Sequence, residues 1–167
     1  MTTQELSLLL EKEACAVRNI PVSTAYEKAT DLIVSSVHDR GGTLVTSGMG
    51  KAGQVAVNMA TTFSSTGTPA CFLHPSEAQH GDLGLLRPND LLLLISNSGK
   101  TREMLELVEL SRGLVPDIPF IVISANPDGP LSRQATVLLS TGAPTEICPL
   151  GLTPTTSTTV MMVIGDL

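Results

Sequence analysis

Asp90-Leu91-Leu92-Leu93-Leu94-Ile95-Ser96-Asn97-Ser98-Gly99-Lys100-Thr101 is the stretch that decides the fold. An unbroken apolar run from Leu91 to Ile95 leaves no polar position for a wet face, so Asp90–Ser96 reads as a strand buried on both sides, the habit of parallel sheets. The run stops at a Ser-Asn-Ser-Gly turn. From Thr101 to Arg112 apolar residues return at helical spacing. Strand, tight turn and helix together make half of a βαβ unit.

The same alternation extends in both directions. Upstream, Thr43–Ser47 reads as a strand, followed by Gly48-Met49-Gly50-Lys51-Ala52-Gly53, a helix to about Ser65, and a strand over Pro69–Leu73. Downstream come strands at Phe120–Ser124 and Val137–Ser140, a short helix around Leu131–Gln134 between them, and a last helical stretch from near Thr155. Before the sheet, Thr3–Val17 and Thr24–Val37 have helical spacing, punctuated by Pro21 and ended by Gly41-Gly42. Leu6, Leu9, Leu10, Ala14 and Val17 share one face of the first helix; Ala25, Ala29, Leu32, Ile33 and Val37 share one face of the second. The expected class is α/β: a three-layer, doubly wound, flavodoxin-like sheet of five parallel strands, preceded by two N-terminal helices. No internal repeat or linker divides the chain. In such sheets ligands bind beyond the carboxyl ends of the strands.

Composition agrees and narrows the function. Of 167 residues, 42% are hydrophobic but only 2% aromatic, so the core is aliphatic. The net charge of −6 and the scarcity of aromatics argue against nucleic acid as a partner. No apolar run approaches the ~18 residues of a membrane span, and Met1-Thr2-Thr3-Gln4-Glu5 opens no signal peptide. Cys15, Cys71 and Cys148 are too far apart for a CxxC site and odd in number, which fits a reducing cytoplasm.

Four segments follow strands and carry polar groups. Gly48-Met49-Gly50-Lys51-Ala52-Gly53 has the context of a dinucleotide turn, but the second strand ends Cys71-Phe72-Leu73-His74, without the acidic residue that holds a ribose. It is not a P-loop either. What remains is a turn that brings Lys51 and backbone amides to a small anion, or a plain strand-to-helix turn. Ser96-Asn97-Ser98-Gly99-Lys100-Thr101 places three hydroxyls at a helix N-terminus, where a phosphate is favoured, although Ser98 or Thr101 would also serve as an ordinary cap. Ser47 would face the same crevice. His74-Pro75-Ser76-Glu77-Ala78-Gln79-His80-Gly81-Asp82 concentrates two histidines and two carboxylates: a metal set of His74, Glu77, His80 and Asp82, or a histidine acting as acid and base. Glu146 stands alone ahead of the run Thr155-Thr156-Ser157-Thr158-Thr159, whose hydroxyls suit helix capping or a sugar phosphate equally. His38, on the second helix, reads as structural.

Taken in order, Ser47-Gly48-Met49-Gly50-Lys51, Thr66-Gly67-Thr68-Pro69, His74-Pro75-x-Glu77-Ala78-x-His80-Gly81-Asp82-Leu83-Gly84, Ser96-Asn97-Ser98-Gly99-x-Thr101-x-Glu103 and Cys148-Pro149-Leu150-Gly151-Leu152-x-Pro154-Thr155 resemble the sugar isomerase (SIS) domain of bacterial arabinose-5-phosphate isomerases. The likeness covers nearly the whole chain. The Ser-Asn-Ser-Gly loop is common to SIS domains, whereas the His-Pro-x-Glu-Ala segment and Cys-Pro-Leu-Gly-Leu are specific to this group. The resemblance implies interconversion of D-ribulose 5-phosphate and D-arabinose 5-phosphate through an enediol, the first step towards the acidic sugar Kdo of lipopolysaccharide or capsule, in the cytoplasm and without a cofactor.

By similarity, Ser47, Gly48, Ser96, Asn97, Ser98 and Thr101 hold the phosphate, with His74 and Glu77 near the substrate. Lys51, His80, Glu103 and Glu146 match catalytic or substrate-contacting positions: His80 or Glu103 as base, Lys51 stabilising oxygen charge, Glu146 a second proton carrier or hydroxyl ligand. No metal is required, though His74, His80 and Asp82 would capture one adventitiously. The resemblance further implies a homotetramer and CMP-Kdo as a feedback ligand. Relatives often carry a pair of CBS domains, and the family has a His-Pro-Gly-Gly segment for which residues 1–167 hold no match. The chain is therefore expected to be a single SIS domain lacking the C-terminal end of the family's domain. The rival readings are a non-catalytic phosphosugar-binding module and another SIS isomerase acting on a hexulose 6-phosphate.

Overall fold

The computed structural model describes residues 1–167. Five strands form one parallel sheet: β1 (Leu44–Gly48), β2 (Ala70–Phe72), β3 (Leu91–Ile95), β4 (Phe120–Ser124) and β5 (Val137–Ser140), in the order β2-β1-β3-β4-β5. Six α-helices accompany them: α1 (Thr3–Arg18), α2 (Thr24–Ile33), α3 (Gly50–Ser65), α4 (Pro75–Ala78), α5 (Arg102–Leu114) and α6 (Thr156–Asp166). α2 runs on into a π-helical stretch over Val34–Asp39, and short 3₁₀ turns occupy Asp82–Leu85 and Ser132–Gln134. No helix is long and apolar enough to cross a membrane.

The pleat explains why the strands look uniformly apolar. Alternate residues of β3 enter different cores: Leu91, Leu93 and Ile95 face α2, α3 and α6, while Leu92 and Leu94 face α5. β4 divides likewise, with Ile121 and Ile123 on the first side and Phe120 and Val122 on the second. Both faces are dry, so a polar residue there needs a hydrogen-bond partner inside the fold. Asp90, 1% exposed, is the polar exception at the foot of β3. Its carboxylate accepts from the amides of Thr43 and Arg87, tying the starts of β1 and β3 together.

α2 buries the expected face, but α1 does not. No residue of α1 is buried, and Leu6 and Leu10 turn half or more of their surface to solvent. Only Leu9, Glu13, Ala16 and Val17 lean on the domain. A capping box closes its start, with Thr2 and Glu5 each accepting from the other's backbone nitrogen. His38 is structural, with Nε2 3.1 Å from the Thr68 hydroxyl.

The segment after β2, where the sequence suggests no helix, contains α4. Pro75 at its first turn needs no donated N–H, which suits a helix start. Gln79 Nε2 donates to Glu106 Oε2 at 2.7 Å and docks this single turn against α5.

Candidate active site

The strand order reverses between β1 and β3, and just beyond their carboxyl ends lies a cleft of about 250 Å³. Three elements build it. α3 contributes Lys51 in its first turn; the β3–α5 loop contributes Ser96, Asn97, Ser98 and Thr101; α6 contributes Ser157 and Thr158. A cavity of about 310 Å³ also lies between α2, α3 and the end of α6, but most of its lining is apolar, with Leu93, Ile121 and Ile123 as its floor. The polar chemistry therefore belongs to the smaller cleft.

Glycines shape the first side for packing. A Cβ on Gly53 would sit 2.6 Å from the Gly48 carbonyl oxygen, and one on Gly48 would sit 2.9 Å from Ala52 backbone atoms. The Gly-x-Gly-x-x-Gly pattern thus lets α3 start directly against the end of β1. Gly48 is buried and serves that contact. Lys51 is exposed, in a helix turn where the dipole disfavours a cation, so its charge is free for an anion.

On the second side the loop is braced from beneath. Asn97 carbonyl accepts from the Ala125 amide and the Ser124 hydroxyl, and Asn126 Nδ2 donates to the Ser98 carbonyl at 3.0 Å. Gly99, at φ +63°, turns the chain, and its carbonyl accepts from Leu131. The Ser96 and Thr101 hydroxyls meet at 2.8 Å and close the loop. Ser98 Oγ accepts from the Lys100 amide. Thr101 is the N-cap of α5 by position, yet its side chain makes no capping bond, and Met49 makes none for α3. The first amides of both helices are therefore unclaimed by side chains, which is what an anion needs.

α6 differs. Glu146 Oε2 accepts from the Thr155 amide at 2.7 Å, the Thr155 hydroxyl at 2.9 Å and the Ser157 amide at 3.3 Å. Burial pushes its pKa up, and the bonds from Ser157 and Thr155 more than offset this, holding the carboxyl below the usual carboxylate range. The expected proton carrier is placed here as a helix cap, and α6 offers the cleft hydroxyls while its Thr155 and Ser157 amides are taken by Glu146.

The remaining expected residues divide. Ser47 is 0% exposed: its hydroxyl donates to the Leu73 carbonyl at 2.7 Å and lies against Met104, so it is placed inside the fold and not at the crevice. Glu103 is half-buried in the first turn of α5, two residues past Thr101. His80 is exposed just after α4, next to Gln79, whose side chain bonds Glu106 one turn along α5 from Glu103. Glu77 is exposed on α4, whereas His74 before it is half-buried, its ring edge-on to Phe72 and its Nδ1 buried without a partner. The adventitious metal set is corrected: His74, His80 and Asp82 do not converge, and no three His, Cys, Asp or Glu side chains form a metal-holding group.

The bracing loop at Ser124–Gly129 is a part of the site that the sequence reading does not single out, although a Ser-Ala-Asn-Pro-Asp-Gly turn directly after a strand is a signal of the right kind. Cys148 is a second surprise. Backbone hydrogen bonding from Thr153, Leu152 and Leu150 lowers its pKa to about 7.

A family model described as the SIS domain matches residues 38–167. An arabinose 5-phosphate isomerase KdsD of Francisella tularensis is 43% identical over 157 residues, 94% of this chain and 47% of the relative. One of Yersinia pestis is 42% identical over 159 residues, 95% and 47%. The chain spans about half the length of the curated relatives it matches. Among solved structures, a Bacteroides fragilis protein provisionally described as a phosphosugar isomerase involved in capsule formation is 66% identical with a TM-score of 0.97, over 98% of this chain and 85% of that one. An Escherichia coli CFT073 protein in complex with arabinose 5-phosphate is 33% identical with a TM-score of 0.84, over 99% and 88%.

Proposed function

The chain belongs to the SIS domain family, and from that premise we propose that it interconverts D-ribulose 5-phosphate and D-arabinose 5-phosphate. The observation that carries this reading is the cleft between β1 and β3: a lysine, a ring of hydroxyls and two helix N-termini without side-chain caps. The relatives named arabinose 5-phosphate isomerase and the solved neighbour that holds arabinose 5-phosphate support the choice of sugar.

The phosphate sits against Ser96, Ser98 and Thr101 and the open amides of α5, with Ser157 and Thr158 on the opposite wall. The reacting end of the sugar then lies towards Lys51 and the α5 flank. Isomerisation removes the proton from C2 of the aldose, forms a cis-enediol and returns a proton to C1, while a proton moves between the two oxygens. Glu103 and His80 supply the carbon base and the oxygen proton carrier, and Lys51 stabilises the developing oxyanion. Glu146 acts by fixing α6. The redox change is internal to the sugar, so the reaction as written uses no external electron acceptor.

Under this reading residues 1–167 act as one SIS unit in the cytoplasm, on the route to Kdo. The unburied leucines of α1 support assembly into a tetramer, and CMP-Kdo is the proposed feedback ligand. The test is turnover of arabinose 5-phosphate to ribulose 5-phosphate by the parent, His80→Ala and Glu103→Gln, with and without EDTA. Turnover that survives EDTA and collapses in both variants supports the assignment. Undiminished turnover in both variants removes His80 and Glu103 from it. Binding of arabinose 5-phosphate with no turnover in the parent supports the non-catalytic binding module instead.

A further inference from the structure

α1 gives the core little, yet one of its side chains reaches inward. Glu13 Oε1 accepts from Thr156 Oγ1 at 2.6 Å, and Glu13 Oε2 is closed off from solvent with no hydrogen-bond partner. Thr156 is the first residue of α6 and 0% exposed. Its hydroxyl, having donated to Glu13, accepts from the Ile147 amide at 3.1 Å. A carboxylate, a hydroxyl and an amide therefore link α1 to the start of α6 and to the loop residue beside Glu146. The next two residues, Ser157 and Thr158, line the cleft.

Stability alone does not explain this arrangement. A buried oxygen without a partner costs the fold free energy, and an apolar contact between α1 and α6 would hold the helices together as well. What a carboxylate adds is direction. It accepts only, so the Thr156 proton must point at it and a Thr156 lone pair is left for Ile147. With Glu146 holding Thr155 and Ser157 from the other side, the first turn of α6 is gripped at three successive residues. Its rotation about the helix axis is set, and with it the aim of Ser157 and Thr158.

We propose that Glu13 is a positioning residue for phosphosugar binding, acting through Thr156 to hold Ser157 and Thr158 towards the cleft. This rests on the phosphosugar reading of the cleft. It also gives α1, which lies outside residues 38–167 matched by the SIS domain model, a part in the site.

The experiment compares the parent with Glu13→Ala, Glu13→Gln, Thr156→Val and the Glu13→Ala/Thr156→Val double variant, all in the full chain. Calorimetry measures binding of arabinose 5-phosphate and of inorganic phosphate; steady-state kinetics separate KM from kcat; melting checks the fold. Loss of one orienting hydrogen bond predicts that Glu13→Ala and Thr156→Val weaken phosphosugar binding and raise KM about fivefold, with kcat within about twofold. The double variant is no weaker than either single change, because both cut the same link. Gln keeps an acceptor oxygen for Thr156, so Glu13→Gln binds within about twofold of the parent. Parent-like affinity in a folded Glu13→Ala protein, or a Gln variant as impaired as the Ala variant, overturns the proposal. If Glu13→Ala does not fold, the contrast between Thr156→Val and Glu13→Gln decides: equal affinities overturn it. A parent that binds arabinose 5-phosphate without turning it over defeats the isomerase reading alone, and the binding comparisons still judge Glu13.

Discussion

Glu146 accepts from both the amide and the hydroxyl of Thr155, nine residues further along the chain, and so becomes the cap of α6. A carboxylate at a helix N-terminus satisfies orphan amides and meets the positive end of the dipole, and both effects favour its charged form. That is poor preparation for carrying protons near neutrality and good preparation for holding a wall of the cleft still.

Replacing the cap has a pH signature. A lost N-cap costs about 1 kcal/mol, so Glu146→Ala at pH 7 should lower Tm by about 2–4 °C for a domain of this size. Because the folded-state pKa of Glu146 lies below the ordinary value of 4.5, its contribution is complete above that value and is lost as pH falls through the depressed folded pKa. The Tm gap between the parent and Glu146→Ala should hold from pH 7 to 5 and close in more acid solution. A gap of constant width from pH 7 to pH 3 would show that the charge is irrelevant.

Two of the three thiols should react in a fixed order. Backbone amides lower the Cys148 thiol to about 7, while burial and then Asp90 raise that of Cys71. A thiolate is the reacting species, so iodoacetamide at pH 7 should label Cys148 before Cys71, with a rate rising through pH 7. Peptide mass spectrometry at short times reads this directly. Cys71 labelled first would mean that the amides around Cys148 do not hold its sulfur.

What is legible in the sequence follows from burial and range. β4 and β5 begin and end as expected, β1 shifts by one residue and β3 is one residue shorter at each end, because strands so largely apolar leave little to confuse the pattern. α4 escapes because one turn is too short to show a period, leaving Pro75 as its signal. Ser47 belongs at the crevice by sequence alone, since strand tips point there. Its hydroxyl is instead taken by the Leu73 carbonyl of the neighbouring strand's end, a pairing that depends on register. The Ser/Thr run at 155–159 reads as capping chemistry or a sugar contact, and the structure divides it between the two: Thr155 meets Glu146 while Ser157 and Thr158 line the cleft. Glu13 and Thr156 are 143 residues apart, and no local pattern announces such a pair.

The brace under the phosphate loop should be sensitive to one methyl group. A Cβ on Gly129 would lie 3.0 Å from the Gly99 carbonyl oxygen and 3.1 Å from that of Ser98, both backbone atoms with little room to give. Overpacking of this kind costs about 1–3 kcal/mol, so Gly129→Ala should melt several degrees lower and bind arabinose 5-phosphate more weakly than the parent at a temperature where both are folded. Normal affinity in a folded variant would mean that the loop does not need its support.

Lys51 should show function and stability pulling apart. Its ammonium stands in the first turn of α3, exposed and with no carboxylate partner among the ion pairs of the fold. A cation there opposes the helix dipole by about 0.3–1 kcal/mol. Lys51→Met keeps the stem, removes the charge and should raise Tm by about 1–3 °C. The same change removes the one cationic side chain lining the cleft, and a lost charge-assisted contact is worth about 1.5–3 kcal/mol, so kcat/KM should fall roughly tenfold to a hundredfold. Arginine at 51 restores charge without the compact ammonium and should recover binding more than turnover. Melting, calorimetry and turnover on the three proteins decide the matter. A Met variant that is less stable yet equally active would place Lys51 in the scaffold and leave the anion to the hydroxyls and the open amides of α3 and α5.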